Sequence, residues 1–426
     1  QRRSNTRPMP LRAACLALTG AAVLAMLIPA RGDVLAAEAN GGAPGEWLSR
    51  YVGARSAAMG GAFVATADDA LGVVWNPAGL SFLDQNEAHF ETARLFEDTS
   101  LNTLSFAVPA SRLPSFGATL ITLGTGSIER TNELNEVLGD FQESELAFLL
   151  TASKSLTPRL ALGTTLKLVN QSIEEFAATG VGADVGVVFD ATPSLRLGVS
   201  MLNLGGPGLT LRATDESFPT DVRAGAAYRT LGGRGLLALE LQRHGDFGTS
   251  FHVGSEVWVH SHLALRLGYN DTHVGGGLGL ALGHGMAIDY GLTDHELGLS
   301  NRIGLTYHFG GFRAQSTANP PVFSPLGQAS VTRIELEART KSETSEWSLE
   351  IRDRSEQLVR RFGGRGQPPS HVMWDGKDEA GMPLSDGAYV YQFSIRDSDG
   401  RALLGDRQTI VITTDGPQGA VPAVVD

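Results

Sequence analysis

Leu263-Ala264-Leu265-Arg266-Leu267-Gly268-Tyr269-Asn270 alternates apolar residues with small or polar ones without a break. A period of two puts Leu263, Leu265, Leu267 and Tyr269 on one face of an extended strand and Ala264, Arg266, Gly268 and Asn270 on the other. The pattern recurs on both sides. Leu160, Leu162, Leu166 and Leu168 interleave with Ala161, Gly163, Thr165 and Lys167. Leu195, Leu197, Val199 and Met201 alternate with Arg196, Gly198 and Ser200, and Val274, Leu278, Leu280 and Leu282 oppose Gly275, Gly277, Gly279 and Ala281.

About fourteen such segments fall between Asn86 and Phe309, each close to the ~9–11 residues a tilted strand needs to cross a bilayer. An even count can close an antiparallel ring that leaves no unpaired edge in lipid. A soluble sandwich would also alternate, so the connections decide. Polar stretches at 124–142, 171–180 and 204–220 are long, whereas Leu156-Thr157-Pro158, Ala191-Thr192-Pro193, Gly232-Gly233 and Gly283-His284-Gly285 are tight turns. Long loops at one end and short turns at the other mark a transmembrane barrel. The fold class is therefore all-β: a membrane-spanning antiparallel barrel over residues 86–311.

The flanks and the composition bound what the barrel does. Arg2, Arg3, Arg7 and Arg12 precede an apolar stretch at 13–30, and Val34-Leu35-Ala36 offers a small-x-small cleavage site. Residues 1–36 read as a signal peptide. The only cysteine, Cys15, lies inside it, so thiolate catalysis, cysteine metal sites and disulfides are not expected in the processed chain. Removing 1–36 leaves 29 basic and 45 acidic residues, a balance of −16 that argues against nucleic acid as a partner. Ten histidines show no metal-ligand spacing, no nucleophile elbow appears, and Gly275-Gly276-Gly277 alternates with leucines along a strand instead of opening a helix. Neither an enzyme nor a cofactor is expected.

Before the first strand stands Met59-Gly60-Gly61-Ala62, then Asp68-Asp69, then Asn76-Pro77-Ala78-Gly79-Leu80. Together they resemble the N-terminal signature of the FadL/PorV/PorQ family of outer-membrane barrels. That resemblance implies a segment over residues 37–85 that folds inward as a plug, with Gly60, Gly61, Asp68, Asp69, Asn76, Pro77, Ala78 and Gly79 as its motif. Asn76 can cap a short helical turn with Pro77 in its first position, and the acidic pair can hold backbone or Arg55. A capped turn with no gating role fits the same residues. In Arg302-Ile303-Gly304-Leu305-Thr306-Tyr307-His308-Phe309, the residues Gly304, Tyr307 and Phe309 resemble the terminal-strand signal read by the barrel-assembly machinery.

Further on, Trp374-Asp375-Gly376-Lys377-Asp378, Gly381 and Asp386-Gly387-Ala388-Tyr389-Val390-Tyr391 resemble FlgD-type Ig-like domains. The Asp-Gly pairs are turn chemistry and Trp374 a core residue. A sandwich is expected over 326–414, a linker over 312–325 around Pro320-Pro321, and a disordered tail over 415–426.

Asp184, Arg196, Arg223, Glu240, Glu256, Arg266 and Asp289 share the polar parity of their strands. Facing lipid, a basic residue would cost ~2–4 kcal/mol near the midplane, so a lumen position is expected. A salt-bridged interior and a translocation path both fit. Two functions remain. The resemblance to PorV implies a non-enzymatic factor in protein secretion or surface assembly, of type IX secretion kind, with a docking domain for envelope or secreted proteins. The resemblance to FadL implies a channel for hydrophobic small molecules. The first is preferred because of the added sandwich, with the barrel in the outer membrane and the C-terminal domain in the periplasm. The chain ahead of the barrel is expected to begin on the periplasmic side as well.

Overall fold

The computed structural model describes residues 45–414, apart from breaks at 97, 112, 212–213, 246–247, 272, 296–297 and 327–329. The expected signal peptide and C-terminal tail lie outside the described residues. Two compact units divide at Phe309/Gly310.

In the first unit the chain opens with two short helices, α1 (Glu46–Arg50) and α2 (Ala54–Ala58). Two 3-10 helices follow at Ala70–Val74 and Pro77–Phe82. Strands then begin with β1 (Asn86–Arg94), β2 (Ser100–Val108) and β3 (Ser115–Gly124), and a small hairpin of β4 (Ile128–Thr131) and β5 (Val137–Phe141). Next come β6 (Glu143–Thr157), β7 (Leu160–Ile173), β8 (Phe176–Asp190) and β9 (Leu195–Leu204). A second hairpin, β10 (Gly208–Leu211) and β11 (Thr214–Ser217), precedes β12 (Asp221–Thr230), β13 (Gly235–His244) and β14 (Thr249–His260). The set ends with β15 (Leu263–Asn270), β16 (Val274–Gly283), β17 (Met286–His295) and β18 (Gly298–Phe309).

Leaving out the two hairpins, fourteen strands close into an antiparallel barrel in which β1 pairs with both β2 and β18. The alternation fixes which face is which. In β15, Ala264, Arg266 and Gly268 are buried while Leu265 and Leu267 are exposed. Around the ring Leu166, Leu239, Leu265, Leu267, Ile303 and Leu305 are 43–57% exposed. A closed apolar band of that kind is far larger than a soluble protein presents to water, and lipid is the solvent it fits.

The connections differ from expectation at one place. The polar stretch at 171–180 is no long loop: β7 and β8 run on as paired strands as far as Ile173 and Phe176. Its polarity comes from strand ends, with Glu174 and Glu175 at the tip, and not from irregular chain. Residues 124–142 and 204–220 hold the β4–β5 and β10–β11 hairpins.

The second unit contains β19 (Arg313–Asn319), β20 (Val322–Phe323), β21 (Thr332–Arg339), β22 (Thr344–Arg352) and β23 (Leu358–Arg365). It continues with β24 (His371–Trp374), β25 (Gly387–Asp397), β26 (Ala402–Leu404) and β27 (Gln408–Ile412). They form a three-stranded sheet, β19-β21-β24, and a larger sheet ordered β20-β27-β25-β22-β23 with β26 against β25. The residues expected to be a linker are strands of this unit: β19 pairs along its length with β21, and β20 pairs in parallel with β27. Period two explains it, since Ala314, Ser316 and Ala318 are buried between exposed Gln315 and Thr317. Trp374 is fully buried, its ring 5.6 Å from that of Phe323 and 5.8 Å from that of Tyr389, and its Nε1 donates to the Lys377 carbonyl at 3.0 Å. Gly376 turns the chain at φ +74°. The Tyr391 hydroxyl accepts from the Ala318 N–H at 2.9 Å, and burial pushes its phenol above the ordinary range.

Candidate functional site: the plugged lumen

Residues 45–83 lie inside the barrel, and almost every described side chain among them is buried. The segment runs from one end of the barrel to the other. Trp47 Nε1 donates to Glu145 Oε2 at 2.5 Å, close to the end that carries the two hairpins. At the other extreme, Ser81 faces Ser153 with the hydroxyls 2.6 Å apart, near the tight turn after β6. The described chain therefore starts at the long-connection end and descends through the lumen into β1; residues 37–44, on which the expected periplasmic start falls, lie outside the described residues.

Three wall glutamates hold the plug by its backbone. Glu91 on β1 accepts from Gly53 and Ala54 N–H at 2.8 and 2.6 Å. Glu240 on β13 accepts from Phe63 and Val64 N–H at 2.8 and 2.7 Å, and Glu87 accepts from Ala70 N–H at 2.7 Å. Charge-assisted bonds to buried amides are stronger than neutral ones, and the amides would otherwise have no partner.

A relay of charges ties the same segment to β14, β15 and β17, the arc of wall between β13 and β1. Asp68 and Asp69 meet Arg55 at 2.6 and 3.3 Å; Arg55 meets Glu256 at 2.9 Å; Arg266 joins Glu256 at 2.7 Å to Asp289 at 2.5 Å. Asp69 also caps the first 3-10 helix by accepting from Gly72 N–H. Asn76 accepts from Ala78 N–H, with Pro77 at the start of the second 3-10 helix, and donates to the carbonyls of Val64 at 2.9 Å and Val187 at 3.1 Å. Of the remaining inward residues, Asp184 pairs with Lys167 at 2.9 Å, and Arg196 pairs with Asp190 at 2.7 Å and lies over the Phe82 ring. Arg223 lies between Asp221 at 2.8 Å and Glu240 at 3.3 Å, over the ring of Trp75.

Glycines let the backbones approach. A Cβ at Gly268 would collide with the backbone of Met59 and Gly60, and one at Gly163 with that of Pro77. Gly79 is excluded from any larger residue by the Ala67 carbonyl. Gly60 and Gly61 have φ of +66° and +80°, where the plug turns beneath His252, whose Nδ1 lies 2.7 Å from the Gly60 carbonyl. In β18, Gly304 faces inward beside His89, while Tyr307 is exposed and stacks on Phe309 at 5.4 Å.

The sequence reading did not single out Glu87, Glu91, Lys167, Asp221 or Arg302. Their signal was present, since Glu87, His89 and Glu91 alternate with Ala88 and Phe90, but a first strand with few apolar residues draws less notice. Arg302 donates to the Tyr51 carbonyl at 2.8 Å.

Residues 324–400 match the family model of the FlgD Ig-like domain. No curated protein matches the chain. Among solved structures it is similar to the Pseudomonas putida toluene transporter TodX, at 15% identity and a TM-score of 0.47 over 60% of this chain and 96% of that one. It is also similar to the CymD monoaromatic hydrocarbon channel, at 14% and 0.47 over 60% and 97%. A third similar structure is a Pseudomonas aeruginosa FadL homologue, at 13% and 0.42 over 62% and 98%. The chain is a closed fourteen-stranded antiparallel β-barrel followed by a β-sandwich unit that contains the residues matching the FlgD Ig-like domain.

Proposed function

We propose that the barrel is a non-enzymatic, gated outer-membrane channel for hydrophobic small molecules, with residues 45–85 as the gate. The observation that supports it is the manner in which the plug is held. Besides an apolar core shared with Leu101, Ile121 and Leu149 and close contacts at glycine, it is bound by discrete carboxylate–amide bonds and one salt-bridge relay, polar attachments that can be exchanged for water. Apolar side chains at the long-connection end suit the solute: Trp47, Leu48, Leu209 and Phe218 pack together there, and Ile128, Leu134, Val137 and Leu138 stand exposed on the β4–β5 hairpin.

Ser81→Cys/Ser153→Cys tests the gate, because the native hydroxyls already lie 2.6 Å apart. In proteoliposomes, oxidation is expected to stop entry of a small aromatic hydrocarbon and reduction to restore it. Equal flux in both states removes the gate from the reading.

A secretion or surface-assembly role is the second reading, and the Ig-like domain favours it. On either reading the C-terminal unit belongs in the periplasm, because Phe309 ends beside Asn86 at the short-turn end. Ending the chain after Gly311 separates the two. Loss of envelope-protein export with hydrocarbon entry unchanged would favour the secretion role.

A further inference from the structure

Four buried polar atoms on one flank of the lumen have no hydrogen-bond partner among the described residues: Trp75 Nε1, Asp184 Oδ2, Ser200 Oγ and Asp221 Oδ1. None of the four residues is more than 2% exposed. Strand register gathers them. Ser200 lies opposite Gly186 on β8 and Arg223 on β12, while Asp221 lies opposite the neighbouring Leu202. Asp184 reaches the same rungs, since its Oδ1 accepts from Asn203 N–H at 2.8 Å. Trp75 closes the patch from the plug side, with the Arg223 guanidinium 4.7 Å from its ring centroid.

We infer that this patch is an internal hydration site, in which enclosed water bridges Trp75 of the plug to the β8–β9–β12 wall. Unpaired buried polar atoms are costly, and native proteins meet that cost with ordered water making two to four bonds. The chemistry selects water over an ion. Both carboxylates already have their charge offset through the other oxygen: Arg223 holds Asp221 Oδ2 and Lys167 holds Asp184 Oδ1. What remains is a hydrogen-bonding demand from one donor, two acceptors and a hydroxyl that can be either. Water serves donor and acceptor alike; a cation cannot bond the indole N–H, and an anion would face two carboxylate oxygens. The site goes beyond the gate reading, because it requires no movement of the plug.

Radiolytic hydroxyl-radical footprinting of the full chain in detergent, after a brief soak in ¹⁸O-water, tests it. Radicals form from water in place, so a residue touching enclosed water is modified although bulk solvent does not reach it. Phe63 is the internal control, at 1% exposed with its ring 6.0 Å from Trp75, and Tyr307, at 48% exposed, reports bulk solvent. Corrected for intrinsic reactivity, Trp75 is expected to be modified several-fold faster than Phe63. Its oxygen label should lag behind that of Tyr307, because enclosed water exchanges slowly. Trp75 as silent as Phe63 would overturn the site. So would Trp75 carrying the bulk isotope from the outset, which would mean an open path to solvent.

Discussion

Truncating Glu91 to alanine removes the carboxylate that holds the upper part of the plug. Glu91 is fully buried and accepts from two plug amides, Gly53 N–H at 2.8 Å and Ala54 N–H at 2.6 Å. Each amide left buried without a partner costs about 1–3 kcal/mol, so the plugged state should weaken by roughly 2–6 kcal/mol. At 1.4 kcal/mol per tenfold, the unplugged population should rise by about 30-fold to 10⁴-fold. Ser56→Cys serves as reporter, because Ser56 is 2% exposed and Cys15, the only native cysteine, lies in the segment expected to be cleaved. With fast closure, the rate of maleimide labelling at the introduced thiol tracks the open population. Labelling in Glu91→Ala should therefore accelerate within that range, while the heat-modifiable gel shift of the barrel persists. A labelling rate equal to that of the reporter with Glu91 intact would refute a carboxylate-held plug.

Three further outcomes follow from the same geometry. Leu265→Arg places a charge on the 44% exposed lipid face and should lower outer-membrane assembly by ~2–4 kcal/mol, read by folded fraction on gels. Arg266→Leu should assemble but quicken labelling of the Ser56→Cys reporter, since it leaves Glu256 and Asp289 without their shared partner; equal assembly defects would count against the register. Trp374→Ala should destabilise the C-terminal unit by about 3–5 kcal/mol in calorimetry while the barrel transition stays put; a shift in both would show that the units do not melt separately.

The barrel was legible because its information is local. A strand with lipid on one side and a filled lumen on the other must alternate, so Leu263–Asn270 discloses its two faces without reference to its partners. Strand ends are less legible: the polar tips of β7 and β8 read as loop because solvated strand and loop favour the same residues. Residues 313–319 were obscured by Pro320-Pro321, which punctuate the chain as a linker would, although the alternation of Ala314, Ser316 and Ala318 was there to be read. The plug motif was visible as residue types, but its partners were not. Nothing near Gly53 or Phe63 in sequence announces that Glu91 and Glu240 bind them, across 38 and 177 positions.

Beside apolar inward residues such as Leu101, Ile121, Leu149 and Val169, the strands carry glycine and glutamate on the same parity, and where these two stand has a physical logic. Where the plug presents backbone edge-on, the wall has glycine, as at Gly163, Gly198 and Gly268. Where the plug presents unpaired amides, the wall has carboxylate, as at Glu87, Glu91 and Glu240. A lumen sealed once and for all could be filled with leucine and phenylalanine, whose burial is non-directional and strong. Part of this lumen is filled that way, with Phe63, Leu71 and Leu80 in one apolar core with Leu101, Ile121 and Leu149; glycine and glutamate add short directional contacts, each of which water can replace when the surfaces part. Such exchangeable contacts, added to the apolar core, are what a closure that must reopen needs, and they distinguish this wall from the apolar belt that any barrel in lipid requires.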